Sequence, residues 1–160
     1  MWGQILQDAL FAAVAAIGFS AINRPPKNAY LYCAFIAAIG HSVRFVFMNA
    51  AFMHLNIVVA SFMASFLIGL LAVLVSPLFK VPAETCFFPA LLPMVPGIYA
   101  YKSFGGLAIC LLQADERVFN HYFYLFVHNG MTCCAVLLGM VIGATLPVFL
   151  FEKTSFQATR

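Results

Sequence analysis

Five long apolar runs, separated by short connectors, limit what this chain can fold into. They lie at about residues 4–22, 29–48, 57–76, 86–112 and 122–151. A helix of about 20 apolar residues spans a bilayer, and in hydrocarbon every backbone polar group must be paired within the protein. We therefore expect a single all-α membrane domain over residues 1–160, a bundle of five transmembrane helices in a lipid bilayer.

The composition supports a membrane class and argues against others. Of the 160 residues, 64% are hydrophobic and 8% are charged, whereas about a quarter of a soluble domain is charged. The net charge of +3 is dispersed along the chain, so we expect no nucleic-acid partner. The five cysteines include no C-x-x-C spacing, which favours small buried hydrophobes over a metal site or disulfides. We expect neither a metal nor a cofactor.

The first apolar run is interpreted as a retained span. No basic segment precedes it, and it lacks a convincing small-residue cleavage site followed by a polar mature chain. The connectors between runs are expected to be irregular, at about residues 23–28, 49–56 and 77–85. The most polar segment, residues 113–121, is expected to be a solvent loop.

Basic residues in the connectors predict the orientation. One side of a five-span arrangement carries Arg24, Lys27, Lys80, Lys153 and Arg160. On the opposite side Arg117 stands alone among the connector residues. Because Lys and Arg accumulate on the cytoplasmic side, we expect the amino terminus outside and the carboxyl terminus in the cytoplasm. An odd number of spans is also plausible for one half of an inverted pair, a common way to build alternating access.

The fourth apolar run is interrupted. It contains Pro89, Pro93, Pro96 and Gly97. An internal proline removes a backbone donor and crowds the carbonyl four residues back. In hydrocarbon the freed groups need partners, so a broken span usually marks the place where a transported solute meets the backbone. We expect this fourth helix to be broken.

Residues at the break are candidates for binding the solute. Pro96 and Gly97 free carbonyls and direct the amino terminus of a half-helix toward the break, where an anion is favoured. Tyr99 and Tyr101 follow in the sequence and are placed to bracket a small solute. The alternative is a kink that only improves packing.

Two cations, Arg44 and Lys102, fall inside apolar runs at a similar depth. An intramembrane cation costs about 3 kcal/mol or more at a helix centre and usually faces a polar interior. A guanidinium suits a carboxylate and an ammonium adds a second attraction, so we assign both residues to substrate binding. Two alternatives stay open: Asp8 is a structural partner for Arg44, and Lys102 snorkels to the outer interface.

His41 lies three positions before Arg44 and shares its helix face. Because histidine titrates near neutral pH, His41 is a candidate proton carrier for coupled transport. The alternative is a neutral imidazole that bonds a neighbouring helix. A different class of function, haem carried between His41 and His128, is the less favoured reading of the same residues.

Other polar residues in the apolar runs are interpreted as structural. The fifth run contains His128, Asn129 and Thr132, which we interpret as hydrogen bonding between helices. Ser61 and Ser65, one turn apart in the third run, are interpreted as small residues that permit close packing. No catalytic nucleophile motif and no pair of carboxylates supports an enzyme.

The ordered motifs of the first four runs resemble a known family. They are Gly18-Phe19, Asn23, Pro25, Cys33-Ala34, Gly40-His41-x-x-Arg44, Ser61-Phe62-Met63-Ala64-Ser65, Gly69 and Pro93-Met94-Val95-Pro96-Gly97-Ile98-Tyr99-Ala100-Tyr101. In this order and spacing they resemble the small membrane subunit of the bacterial threonine/serine exporter-like family, which includes a two-component succinate exporter. The similarity runs from about Gly18 to Gly106, and the fifth run matches in hydropathy only.

The resemblance implies a secondary exporter of small carboxylates or amino acids in the bacterial inner membrane. It also implies a larger membrane subunit as partner, which supplies the other membrane half. The sequence leaves open whether the chain forms homo-oligomers, and it does not choose among threonine, serine and succinate. A subunit that assembles without taking part in transport is the main alternative.

Overall fold

The computed structural model describes residues 2–23, 26–49, 54–113 and 115–151. The regular elements in these residues are all helical: α1 (Trp2–Asn23), α2 (Lys27–Asn49), α3 (Ile57–Phe79), α4 (Ala83–Leu91), a 3₁₀ turn (Leu92–Met94), α5 (Gly97–Leu112) and α6 (Glu116–Leu150). Helices α1, α2, α3 and α6 are each long and apolar enough to cross a membrane, and α4 with α5 is a fifth candidate if the broken pair forms one span. The expected all-α membrane fold, with its fourth helix broken, is confirmed.

The connector predicted at residues 77–85 is mostly helical. Helix α3 continues through Pro77 and ends before Lys80, which has a left-handed backbone conformation with φ 54°. A proline inside a helix deprives the carbonyl four residues back of its usual donor. Here that carbonyl, on Val73, accepts a hydrogen bond from the hydroxyl of Ser76 at 3.1 Å. The side chain thus supplies the missing donor, and the helix continues to Phe79, beyond the end predicted for the third span at about residue 76.

The solvent loop predicted at residues 113–121 is also shorter than expected, because α6 begins at Glu116. The Asp115 carboxylate accepts hydrogen bonds from the backbone N–H groups of Arg117 and Val118, at 2.8 and 3.2 Å. This is N-terminal capping, and an acidic residue in the first turn also suits the helix dipole. Charged residues that we interpreted as loop therefore start the helix.

The described residues fall into two compact units. The first contains the chain up to Met94 and the segment from Gly139 onward; the second contains Val95–Leu138. In the second unit, α5 and the first part of α6 approach closely at Gly106, where an added Cβ would lie 2.9 Å from the Tyr122 carbonyl oxygen and 3.0 Å from the Phe126 nitrogen. The Ser103 hydroxyl donates to the Phe126 carbonyl at 2.9 Å.

Small residues form the contacts of the first unit. A Cβ added to Gly69 on α3 would collide with the backbone of Ala144 on α6, and one added to Gly143 would collide with the Ser65 hydroxyl. Membrane helices associate through such close packing, since lipid leaves little hydrophobic drive between them. The packing interpretation of Ser65 agrees with this contact.

The structure describes only some of the basic residues from which the orientation is predicted. Arg24, Lys153 and Arg160 lie outside the described residues. The orientation therefore stays a prediction, which is tested below.

Candidate functional site

The break in the fourth helix exposes a backbone carbonyl that Arg44 binds. The 3₁₀ turn ends at Met94, and α5 begins only at Gly97, so the carbonyl of Met94 lies at a helix end, where intrahelical donors run out. Nη1 of Arg44 donates to this oxygen at 2.8 Å. A cation also suits the negative end of a helix dipole. The structure thus brings together two features that the sequence analysis assigned to one site, Arg44 and the broken helix.

Asp8 pairs with His41 rather than with Arg44. Its Oδ2 lies 3.3 Å from Nδ1 of His41. His41 is almost fully buried, with 5% of its surface exposed, whereas the side chain of Asp8 is 40% exposed. The contact joins α1 to α2, so the expected bond from His41 to a neighbouring helix is present. Arg44 donates instead to the Met94 carbonyl.

Two buried polar atoms among the described residues lack a hydrogen-bond partner, Nε2 of His41 and Oγ of Ser61. They belong to α2 and α3, which pack against each other so closely that a Cβ on Gly40 would collide with Ile68. An unsatisfied buried polar group costs about 1–3 kcal/mol and calls for an explanation such as an absent ligand or water. Both atoms, like Arg44, belong to the first unit.

The remaining predicted site residues lie in the second unit. Pro96 is buried, Gly97 is exposed, Tyr99 is half-buried and Tyr101 is 79% exposed. No side chain caps the amino terminus of α5, but the N–H groups of Gly97, Tyr99 and Ala100 donate to the backbone carbonyls of Val95 and Pro96.

Lys102 is exposed on α5 and makes no hydrogen bond or ion pair within the described residues. It lines a recess of about 440 Å³ together with Tyr101, Gly105, Gly106 and Tyr122. An ammonium and tyrosine hydroxyl groups beside a gap left by two glycines can receive a small anion. Because Arg44 and Lys102 belong to different units, the prediction that they share one substrate stays a prediction.

Comparison with known proteins shows to which family this chain belongs. The model of the family described as "Threonine/Serine exporter, ThrE" matches residues 8–150. This chain belongs to the threonine/serine exporter family. A protein of Haemophilus influenzae, described as uncharacterized, is 32% identical over 151 residues, which are 94% of this chain and 48% of that protein. The chain thus spans about half the length of the relative it matches. No solved structure matches it.

Membership of the threonine/serine exporter family confirms the resemblance and extends it. The family match continues to residue 150, so it includes the fifth run, for which the sequence analysis found agreement in hydropathy only. In that run the side chains of Asn129 and Thr132 donate to carbonyls of their own helix, at Leu125 and His128. The expected bonds between helices are therefore absent at these two described side chains.

Sequence reasoning missed two features of this exporter-family site. It weighed Asp8 only as a partner of Arg44, and it gave the Ser61 hydroxyl no role beyond packing. A depth along the membrane can be calculated from the helix rise, but the rotation of each helix about its axis cannot. The signal that was available is the rarity of a carboxylate such as Asp8 within an apolar run.

Proposed function

We propose that this chain is a membrane subunit of a secondary transporter that exports small carboxylates or amino acids, of the threonine, serine and succinate class, by alternating access. The observation that carries the proposal is the bond from Arg44 to the Met94 carbonyl, which places a cation at a broken span. Broken helices beside ionisable residues are typical substrate sites of secondary transporters. A transport role rather than an enzymatic one agrees with the family.

Arg44 has donors to spare for a substrate. A guanidinium carries five N–H donors, and the structure shows one of them bound to the Met94 carbonyl. A substrate carboxylate binds the others as a two-point pair. A solute that draws Arg44 away from Met94 would also free the carbonyl at the end of the 3₁₀ turn that follows α4. Substrate binding would in this way be coupled to movement of the broken pair.

In the second unit, considered by itself, the proposed substrate contacts lie at Pro96, Gly97, Tyr99, Tyr101 and Lys102. The amino terminus of α5 at Pro96 and Gly97 is the positive end of a helix dipole, which favours a negative group. Tyr99 and Tyr101 provide hydroxyl groups and ring faces, and Lys102 provides a second positive charge. His41 is proposed as the proton carrier, because its Nε2 is buried without a partner.

A larger membrane subunit is the proposed partner, in the inner membrane of a bacterium with the amino terminus of this chain outside. The support is the length of the relative, of which this chain matches 48%. Transport by alternating access commonly requires two related membrane halves. We propose that the partner supplies the second half, and that lipid surrounds both.

Counterflow in membrane vesicles of the source organism tests the proposal. Vesicles loaded with unlabelled threonine, serine or succinate are diluted into the labelled compound, and uptake is compared between strains with and without this chain. We expect uptake of at least one compound to require the chain and to be lost in Arg44→Ala and Lys102→Ala while the protein still inserts. Thr132→Ala is a matched control, because its hydroxyl bonds only its own helix.

The alternative of an assembly subunit predicts a different result. Removal of the chain would then abolish transport, because the complex fails to form, while both cation variants would transport at the wild-type rate. That outcome would contradict the substrate site proposed above.

A further inference from the structure

We propose that Asp8 is the group through which the coupled proton reaches and leaves His41. This inference rests on the proposed function, and it assigns a role in transport to a residue that sequence reasoning treated only as an ion-pair partner. It is carried by the contact between the two side chains and by the difference in their exposure. Asp8 and His41 both belong to the first unit.

The exposures of the two side chains suit a proton path. His41, 5% exposed, is enclosed within the first unit, whereas 40% of the Asp8 side chain lies at the surface of that unit. Their 3.3 Å contact is short enough for transfer across a hydrogen bond with slight closure. A proton that arrives from water therefore meets the carboxylate first and the imidazole second.

The depths of the two residues agree with this order. Asp8 lies six residues from Trp2, the first described residue of α1, or about 9 Å along the helix at a rise of 1.5 Å per residue. His41 lies eight residues before Asn49, the last residue of α2, or about 12 Å from that end. With the amino terminus outside, as proposed, the pair opens toward the external solution.

The step is a proton transfer and changes no other bond. The carboxyl proton of neutral Asp8 passes to Nδ1 of neutral His41, which leaves a carboxylate beside an imidazolium. The reverse transfer returns the proton to Asp8, which releases it to water on the opposite side of the membrane once the alternating-access cycle has opened the pair to that side. Nε2 of His41 keeps its own hydrogen throughout, and this N–H is the buried atom without a partner.

Few other ionisable groups surround His41. From α1 it meets Asp8, which is the one ionisable residue of that helix, and α3 contains none. Helix α4 carries Glu84, which is exposed, and Cys86, which is buried. Arg44 lies one turn further along α2 and shares the face of His41.

Occupancy of the pair by a proton changes the charge that a substrate meets at Arg44. With Asp8 ionised, His41 neutral and Arg44 charged, the three formal charges cancel. One added proton makes the group positive. Charges this close interact strongly where water is scarce, so a carboxylate bound at Arg44 is sensitive to the proton on its neighbours. This is the physical link between proton and solute.

Two measurements on the same vesicles separate this inference from the proposed function. The first is counterflow of threonine, serine or succinate, which requires a working substrate site but no net proton movement. The second is accumulation of the same compound driven by an imposed pH difference. We expect Asp8→Asn to abolish the pH-driven accumulation and to retain counterflow, with a changed substrate affinity because the charge beside Arg44 changes. We expect His41→Gln likewise to abolish the accumulation and to retain counterflow.

Conservative and matched variants complete the experiment. Asp8→Glu, which keeps a carboxylate, should retain pH-driven accumulation. Glu84→Gln removes an exposed carboxylate from the same unit and should change neither measurement.

The remaining outcomes overturn one proposal or the other. If Asp8→Asn keeps pH-driven accumulation, Asp8 does not deliver the proton. If it inserts normally and loses both activities, Asp8 supports the substrate site itself, and the proton role is refuted. If the wild-type vesicles show neither activity for any of the three compounds, the proposed function fails before the role of Asp8 is reached.

Discussion

Single side chains in this protein satisfy carbonyls that prolines or helix ends leave without donors. Ser76 donates to Val73, which has lost its donor at Pro77. Cys33 contacts the Thr85 carbonyl, four residues before Pro89, at a sulfur–oxygen distance of 3.8 Å. Arg44 completes the series at Met94. In hydrocarbon no water can take these places, so each side chain has a structural role whatever else it does.

The sequence indicated which intramembrane residues matter, but not which atoms they meet. Arg44 and His41 stand out because charged and ionisable residues are costly in a membrane. Their partners depend on how α1, α2 and the 3₁₀ turn rotate about their axes, and one sequence carries no such information. The carbonyl of Met94 is invisible to sequence analysis, because every residue has a carbonyl and only the fold decides which one is free.

Removal of the guanidinium of Arg44 should therefore destabilise the protein as well as impair transport. Arg44→Ala leaves the Met94 carbonyl without this donor, and a hydrogen bond from a charged group contributes about 1.5–3 kcal/mol. We expect a lower thermal unfolding midpoint in detergent, and Arg44→Lys, which keeps a charged donor, should recover part of the loss. An unchanged midpoint in Arg44→Ala would show that the bond contributes nothing to stability.

At the scale of helices, the apolar runs predicted how many candidate spans the chain has better than they predicted where the helices begin and end. The third helix continues through Pro77, and the sixth begins within a segment that its charges marked as solvent loop. Both errors have one cause: a side chain, Ser76 or Asp115, supplies or accepts a hydrogen bond that extends the helix. Hydropathy indicates which residues favour contact with lipid, whereas local hydrogen bonding decides where a helix begins and ends.

The contact between α3 and α6 should be sensitive to a single methyl group. A Cβ on Gly69 has no space against the Ala144 backbone, which cannot move as a flexible side chain can, whereas a Cβ on Gly18 meets nothing within 4 Å. We expect Gly69→Ala to cost about 1–3 kcal/mol, the usual cost of overpacking, seen as a lower unfolding midpoint in detergent. The matched change Gly18→Ala should leave the midpoint unchanged or raise it slightly. Equal midpoints for the two variants would contradict the close contact.

For the whole molecule, the open question is whether α4 and α5 together cross the membrane or enter and leave on one side. Length and hydropathy allow the pair to be a broken span or a re-entrant loop. The distribution of basic residues over all the connectors favours a crossing. With a crossing, Arg117 alone lies opposite Arg24, Lys27, Lys80, Lys153 and Arg160, whereas with a re-entrant pair Arg117 would join Lys80, and Lys153 and Arg160 would lie opposite. Cytoplasmic loops are richer in Lys and Arg, so a crossing places residue 84 in the cytoplasm and residue 113 outside.

Cysteine labelling decides between these arrangements. In a background with the five native cysteines replaced by alanine, Glu84→Cys places a thiol at an exposed position in the first turn of α4, and Gln113→Cys places one just after α5. A membrane-impermeant maleimide should label Gln113→Cys in intact cells whose outer membrane, where present, is permeabilised, and Glu84→Cys only in inverted vesicles. Labelling of both positions from one side would mean a re-entrant pair. The chain would then cross the membrane four times and its termini would share one side. Labelling of both positions in intact cells would also place the amino terminus, and the proton path through Asp8, on the cytoplasmic side.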